Sequence, residues 1–343
     1  MNRPRGLAAL LALTVLLVAA TLLGPGPVDA QTEIVLMTWG GAFRDAFEAA
    51  KPDIEKAAGV RLTFVTQAGA AAGLSRLEAQ KASPQVDLWT SIVSTAQDGL
   101  KSGVVEELPV AQIPNVKQVP DYLVSPAGVA IWTSLRGIFY RSDKVPFEIK
   151  TWEDLWDPRL KGLVSTSFLL DKGNFLIMAA LINGGSERDI DKGFEKVKAL
   201  RPNLAFFYKT DAESIKFLQA GEAAVAGWGI LPNVYKLLGP GSNYKFVVPA
   251  RPQFLAPIPI SLVKGRPHRA EALRTIDAIL SPAVQEKLVE NLGSVPANRT
   301  ASPPEKIRSF VPPLTGVYNV DWDLVNARFS EWESRWNREV QVR

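Results

Sequence analysis

Residues 33–38 (EIVLMT) are almost wholly apolar, and Gly40 and Gly41 follow at once. A short apolar run with such a boundary predicts a strand buried on both faces. Beyond the glycines, Phe43, Phe47, Ala50, Ile54 and Ala57 recur at steps of 4, 3, 4 and 3. That spacing is the stripe of an amphipathic helix, and Gly59 ends it. Residues 60–65 (VRLTFV) predict a second strand. The opening is therefore a βαβ unit with a right-handed crossover. A short helix over 74–81 and a third strand over 86–89, running into Thr90 and Ser91, continue the alternation. Alternating strands and helices predict an open parallel sheet.

The texture changes near Ile131. Residues 131–134 and 137–140 read as extended chain that crosses into a new region. There a helical turn over 152–156 has Thr151 as its expected cap. Strands follow over 162–167, 204–208, 223–228 and 244–248, with helices over 175–182, 190–200 and 214–220. Residues 257–263 (PIPISLV) read as a return crossing, followed by helices over 270–280 and 282–292. Two α/β regions emerge, each expected to carry its own sheet, joined by two extended segments. Trp322, Val325, Phe329, Trp332 and Trp336 mostly keep helical spacing and predict an amphipathic face that docks on the body.

The N-terminus reads as an export signal, expected to be cleaved before Gln31. Arg3 and Arg5 precede an apolar run over 7–23, then Gly24, Pro25, Gly26 and Pro27 break it before the small-residue site Val28-Asp29-Ala30. The competing reading is a retained anchor, because the run approaches bilayer-spanning length. The chain has no cysteine, so an exported form folds without disulfides. Removing 30 of 343 residues leaves 313, room for roughly two domains. Lys and Arg outnumber Asp and Glu by 39 to 35, and no basic run forms a nucleic-acid stripe.

In an open α/β sheet, ligands bind beyond the carboxyl ends of the strands. Trp39-Gly40-Gly41, Trp89-Thr90-Ser91, Ser165 to Ser167 and Trp228-Gly229 all stand at such ends. Glycine lets backbone approach a ligand, and a helix N-terminus offers unpaired N–H groups. Trp39 is either a core residue at the top of its sheet or a wall of a cleft. Three tryptophans at equivalent strand ends favour the wall.

These features, in this order, resemble the periplasmic substrate-binding proteins of ABC importers, in the branch that holds the spermidine/putrescine binders. The carriers are the TWGG loop (Thr38 to Gly41), the segment Asp87 to Ser91, and TWEDLWDPRLKG over 151–162, which is the most specific. Gln219-Ala220-Gly221-Glu222 before the strand ending at Trp228, and GSVPAN over 293–298, complete the match. The resemblance implies a two-lobed α/β (Venus flytrap, type II) fold with two hinge crossings. It implies lobe 1 over 31–135 plus 258–300, and lobe 2 over 136–257 plus 301–343. It also implies a periplasmic location, a small-molecule solute in the interlobe cleft, a monomer, and delivery to an ABC permease in the inner membrane. No cofactor and no catalytic residue is expected. The expected ligand contacts are Trp39, Gly40, Gly41, Trp89, Thr90, Ser91, Ser167, Asp171 and Trp228.

Asp171 matches one acidic position of the polyamine binders, whereas Asn174 falls where a second acid would sit. Ala256 and Ile258 stand near an expected aromatic and aspartate. Burying an ammonium without a countercharge costs several kcal/mol, so a solute with one cationic or polar head fits better than a polycation. Asp171 reads equally as a helix N-cap, and Asp87 as an acid that orients its loop. One histidine, His268, and no cysteine argue against zinc. No adjacent tyrosines speak for ferric iron, although Tyr140 and Tyr208 could converge. Without a G-x-S-x-G elbow or a placed histidine, hydrolase chemistry has no carrier. A solute sensor or scavenger without a transporter stays open, as do carboxylate, phosphonate, thiamine and ferric-ion ligands.

Overall fold

A computed structural model describes residues 31–168 and 170–341. The expected signal over 1–30 lies outside the described residues. In chain order the strands are β1 (Glu33–Trp39), β2 (Arg61–Gln67), β3 (Leu88–Thr90), β4 (Val124–Ser125), β5 (Gly128–Arg141), β6 (Val164–Thr166), β7 (Leu204–Phe207), β8 (Val225–Ile230), β9 (Tyr244–Val247), β10 (Leu255–Leu262) and β11 (Val295–Pro296). The helices include α1 (Ala42–Ala58), α2 (Val93–Lys101), α3 (Asn174–Ile182), α4 (Asp211–Ala220) and α5 (Trp322–Glu339).

The sheet runs β2-β1-β3-β10-β5-β8-β6-β7. The outer thirds are parallel as expected: β1 with β2 and β3, and β6 with β7 and β8. The middle is antiparallel, because the two crossings run in opposite directions and pair with each other, Leu255 opposite Leu135 and Ile260 opposite Val129. The expectation of a separate sheet for each region is corrected here. The two predicted segments are one continuous strand, β5, which runs through both regions despite a register shift at Gly137, pairing β10 up to Leu135 and β8 from Arg136 onward. The result is a two-lobed α/β fold with two crossing strands.

Each lobe has its own core. Ile34, Phe47, Ile131, Ile276 and Leu288 belong to one, and Phe139, Leu176, Val225, Val325 and Trp332 to the other. Burial of such side chains contributes about 1.5–3 kcal/mol each relative to exposure. The α5 face docks as its spacing predicts, with Val325, Trp332 and Trp336 buried and Phe168 stacked on Trp336 at 4.6 Å.

Local details depart from the sequence reading. The α1 stripe ends on Ala58, one turn beyond Ile54, while Ala57 faces solvent. Thr151 does not cap its turn. Asp154 Oδ2 instead accepts the backbone N–H groups of Lys150 and Thr151 at 2.7 and 2.8 Å. Helix α2 was absent from the expectations, and it forms one wall of the cleft.

Candidate functional site

A cavity of about 40 Å³ lies between the lobes beside the crossings, with room for about three waters. Its lobe 1 wall is Ile92, Val93 and Ser94 at the start of α2, and its lobe 2 wall is Asp171 and Asn174. The chain from Leu255 to Ile258 and Trp322 complete its lining. A larger hollow of about 670 Å³ runs along the edge strand β7, beside Arg201, Val340 and Gln341, at the end of the sheet away from the crossings. The smaller cavity carries the chemistry.

Helix α2 starts at Ile92, whose extended backbone leads in without a side-chain cap. Amides of its first turn have no intrahelical acceptor, and the helix dipole adds partial positive charge there. Opposite, Asn174 is 2% exposed and its Oδ1 has no hydrogen-bond partner. A buried unsatisfied amide oxygen costs roughly 1–3 kcal/mol, and a solute with an N–H group would relieve that cost.

Asp171 is held by an unusual backbone. Asp171 and Lys172 both adopt left-handed φ, 53° and 49°, a conformation that costs non-glycine residues about 1–2 kcal/mol each. It turns Asp171 inward toward Arg136, a lone cation in the middle of β5. Arg136 is 3% exposed and carries one carboxylate on each half of its fork. Nε and Nη2 donate to Asp171 at 2.6 and 3.1 Å, and Nη1 and Nη2 donate to Asp211 at 2.6 and 3.4 Å. Trp228 Nε1 also donates to Asp171 Oδ2, at 3.2 Å. Burial pushes the Asp211 carboxyl above its usual range, and Arg136 pulls it back. Burial likewise raises Tyr208, keeping its hydroxyl neutral where it accepts the Trp228 backbone N–H at 3.2 Å.

Of the nine residues expected as ligand contacts, Asp171 alone lines this cavity. Asp171 is not a helix cap: Gly173 occupies the cap position of α3, and the carboxylate goes to Arg136. The three indoles sit in three separate clusters. Trp39 is half-buried against the first core and packs on Phe43 at 5.2 Å. Trp89 is fully buried in a small satellite cluster, its Nε1 bonded to Gln67 Oε1 at 2.7 Å. Trp228 is fully buried in the second core against Trp152 and Phe254. Gly41 precedes α1 with φ 60°, while Gly40 is exposed beside Thr66. Thr90 Oγ1 donates to Thr38 Oγ1 at 2.9 Å, Ser91 donates its backbone N–H to Pro259 O, and Ser167 Oγ accepts from Leu170 N. Asp87 orients its strand, accepting from Val35 N and from Arg266.

Sequence reasoning missed Arg136 as a site residue, Asp211, and the α2 N-terminus. The first had a readable signal, since a charge inside an apolar strand must find buried partners. Among the described residues, no group of three or more His, Cys, Asp and Glu is placed to hold a metal.

Comparison with known proteins agrees with this architecture. The family profile for bacterial extracellular solute-binding protein matches residues 44–310. A periplasmic protein of Salmonella typhimurium strain LT2, whose name proposes 2-aminoethylphosphonate as its ligand, is 24% identical over 300 residues, covering 82% of this chain and 84% of that one. The crystal structure of an ABC transporter from Clostridium perfringens is similar at a TM-score of 0.78 and 23% identity, covering 89% of this chain and 99% of that one. The periplasmic binding protein AfuA from Actinobacillus pleuropneumoniae, solved with exogenous fructose-6-phosphate bound, is similar at 0.66 and 20% identity, covering 91% and 99%. The fold, the two crossings and the profile match over most of the chain lead to one conclusion: this chain belongs to the bacterial extracellular solute-binding protein family.

Proposed function

We propose that this protein is the periplasmic solute-binding component of an ABC importer, and that it takes a small zwitterion, an amine joined to an anionic head. The observation that carries this reading is the pairing of walls in the interlobe cavity: a carboxylate on one side, an uncapped helix N-terminus on the other. An anion is stabilised at the first turn of a helix, and an ammonium at Asp171. The Salmonella relative, named for an aminophosphonate, supports the same class. A polycation fits less well, since Asn174, Ala256 and Ile258 supply no second charge.

The cavity is smaller than an aminoalkylphosphonate, so the lobes part to admit the solute and close around it. In this reading the lobes divide at 135/136 and 257/258, and Trp39, Gly40, Gly41, Thr90 and Ser91 form the lobe 1 lip of the opened cleft. Ser167 and Trp228 support Asp171 from lobe 2. The protein acts as a monomer, without a cofactor and without catalysis, and hands its solute to the permease after loss of residues 1–30.

A thermal-shift screen tests this. Aminophosphonates, aminocarboxylates, diamines and sugar phosphates are each added to the wild-type protein. A ligand at about 100 times its Kd adds roughly 2.7 kcal/mol of stability. Stabilisation by diamines or sugar phosphates, with none by amino acids or aminophosphonates, would overturn the zwitterion reading.

A further inference from the structure

Asp171 is the one carboxylate on the cavity wall among the described residues. A bidentate Arg–carboxylate pair is neutral as a unit and attracts an ammonium weakly. Arg136, however, is shared. Half of its fork faces Asp211, the first residue of α4, which does not line the cavity. One guanidinium thus stands between two carboxylates, and the cluster carries a net negative charge. The guanidinium is 3% exposed and Asp171 is 21% exposed, so the charge that reaches the cavity is the carboxylate's. Oδ2 of Asp171 already accepts Arg136 Nε and Trp228 Nε1, while Oδ1 accepts a single bond of 3.1 Å and retains a lone pair.

We propose that Asp211 is a specificity-determining residue: by dividing the charge of Arg136, it leaves Asp171 the negative charge that selects an amine. The proposal rests on the reading that Asp171 meets the solute. Its logic is electrostatic. With Asp211 neutral, Arg136 and Asp171 cancel, and the wall no longer prefers a cation. With Arg136 absent, two neighbouring carboxylates would repel each other with no cation between them. The three residues together fix one negative charge at one place.

The test titrates wild type, Asp211→Asn and Asp211→Glu by calorimetry with 2-aminoethylphosphonate and with ethylphosphonate, which lacks the amine. Wild type should prefer the amine. In Asp211→Asn the aminophosphonate should weaken by about tenfold while ethylphosphonate binds as before or more tightly, and Asp211→Glu should restore the preference. If both probes weaken by the same factor in Asp211→Asn, or if the preference survives, the role is merely structural and the proposal is overturned. If wild type binds neither probe, the zwitterion reading itself fails and the proposal falls with it. Should Asp211→Asn not fold, Asp211→Ser removes the same charge and is read in the same way.

Discussion

Replacing Arg136 by Met keeps most of the side-chain length and deletes the charge. Four contacts of 2.6 to 3.4 Å disappear. Asp171 and Asp211 then face each other where the guanidinium was 3% exposed. Removing one partner of a buried ionic network costs about 3–5 kcal/mol. At about 2 °C per kcal/mol for a chain this long, Tm should fall by roughly 6–10 °C. The loss should also depend on pH. Burial already pushes the Asp211 carboxyl up, and Arg136 is what pulls it down. Without Arg136 its folded pKa rises further above the unfolded value of about 3.9. A group raised on folding favours the folded state below its unfolded pKa, and that advantage is lost as pH rises through the folded pKa. The deficit should therefore be smaller near pH 5 than near pH 8. Differential scanning fluorimetry at both values is the assay, with Arg136→Met/Asp211→Asn alongside, which should recover part of the loss at pH 8. A deficit equal at both pH values would mean lost packing rather than stranded charge, and no deficit would mean the network contributes nothing.

Other expectations follow from single contacts. Lys172 reaches Asn326 at 2.7 Å and Asp98 of α2 at 3.5 Å. Lys172→Gly should relieve about 1 kcal/mol of left-handed strain, hold or raise the unliganded Tm, and speed solute release several-fold; unchanged release in stopped-flow would show that the Lys172 contacts do not hold the lobes together. Trp89→Phe strands Gln67 Oε1, which is buried, at a cost of about 1–3 kcal/mol. Its Tm should fall with solute affinity intact, and the opposite pattern would return Trp89 to the ligand. Gly41→Ala should cost roughly 1–3 kcal/mol in urea unfolding from its φ of 60° alone, since no atom lies within 4 Å of the added Cβ; a neutral outcome would show that the turn relaxes.

The fold was legible because its signals are periodic. The apolar runs of β1, β8 and β10 and the α1 stripe each state their own burial. The last turn of α1 slipped by one residue because Ala57 and Ala58 are alike in sequence and only the direction of the core separates them. Helix α2 escaped because VSTAQDGLK is short, holds few large apolar residues and lacks a capping box, so its formation is decided by tertiary packing. The indoles are hard to place from sequence for a related reason. A tryptophan at a strand end looks the same whether it faces a cleft or a satellite core, and only the Gln67 partner of Trp89 tells them apart. Asp171 was singled out through family resemblance, whereas the pairing of Arg136 with Asp171 and Asp211 joins residues 35 and 75 apart in sequence and leaves no local trace.

We propose above that Asp171 meets the solute's amine in the interlobe cavity. Calorimetric titration of wild type and Asp171→Asn with 2-aminoethylphosphonate tests it most directly, with the unliganded Tm of both measured in parallel. Loss of a charge-assisted hydrogen bond is worth about 1.5–3 kcal/mol, so Kd should rise at least about tenfold beyond any change in the folded fraction. Binding of the same strength by both folded proteins would place the solute's amine away from Asp171.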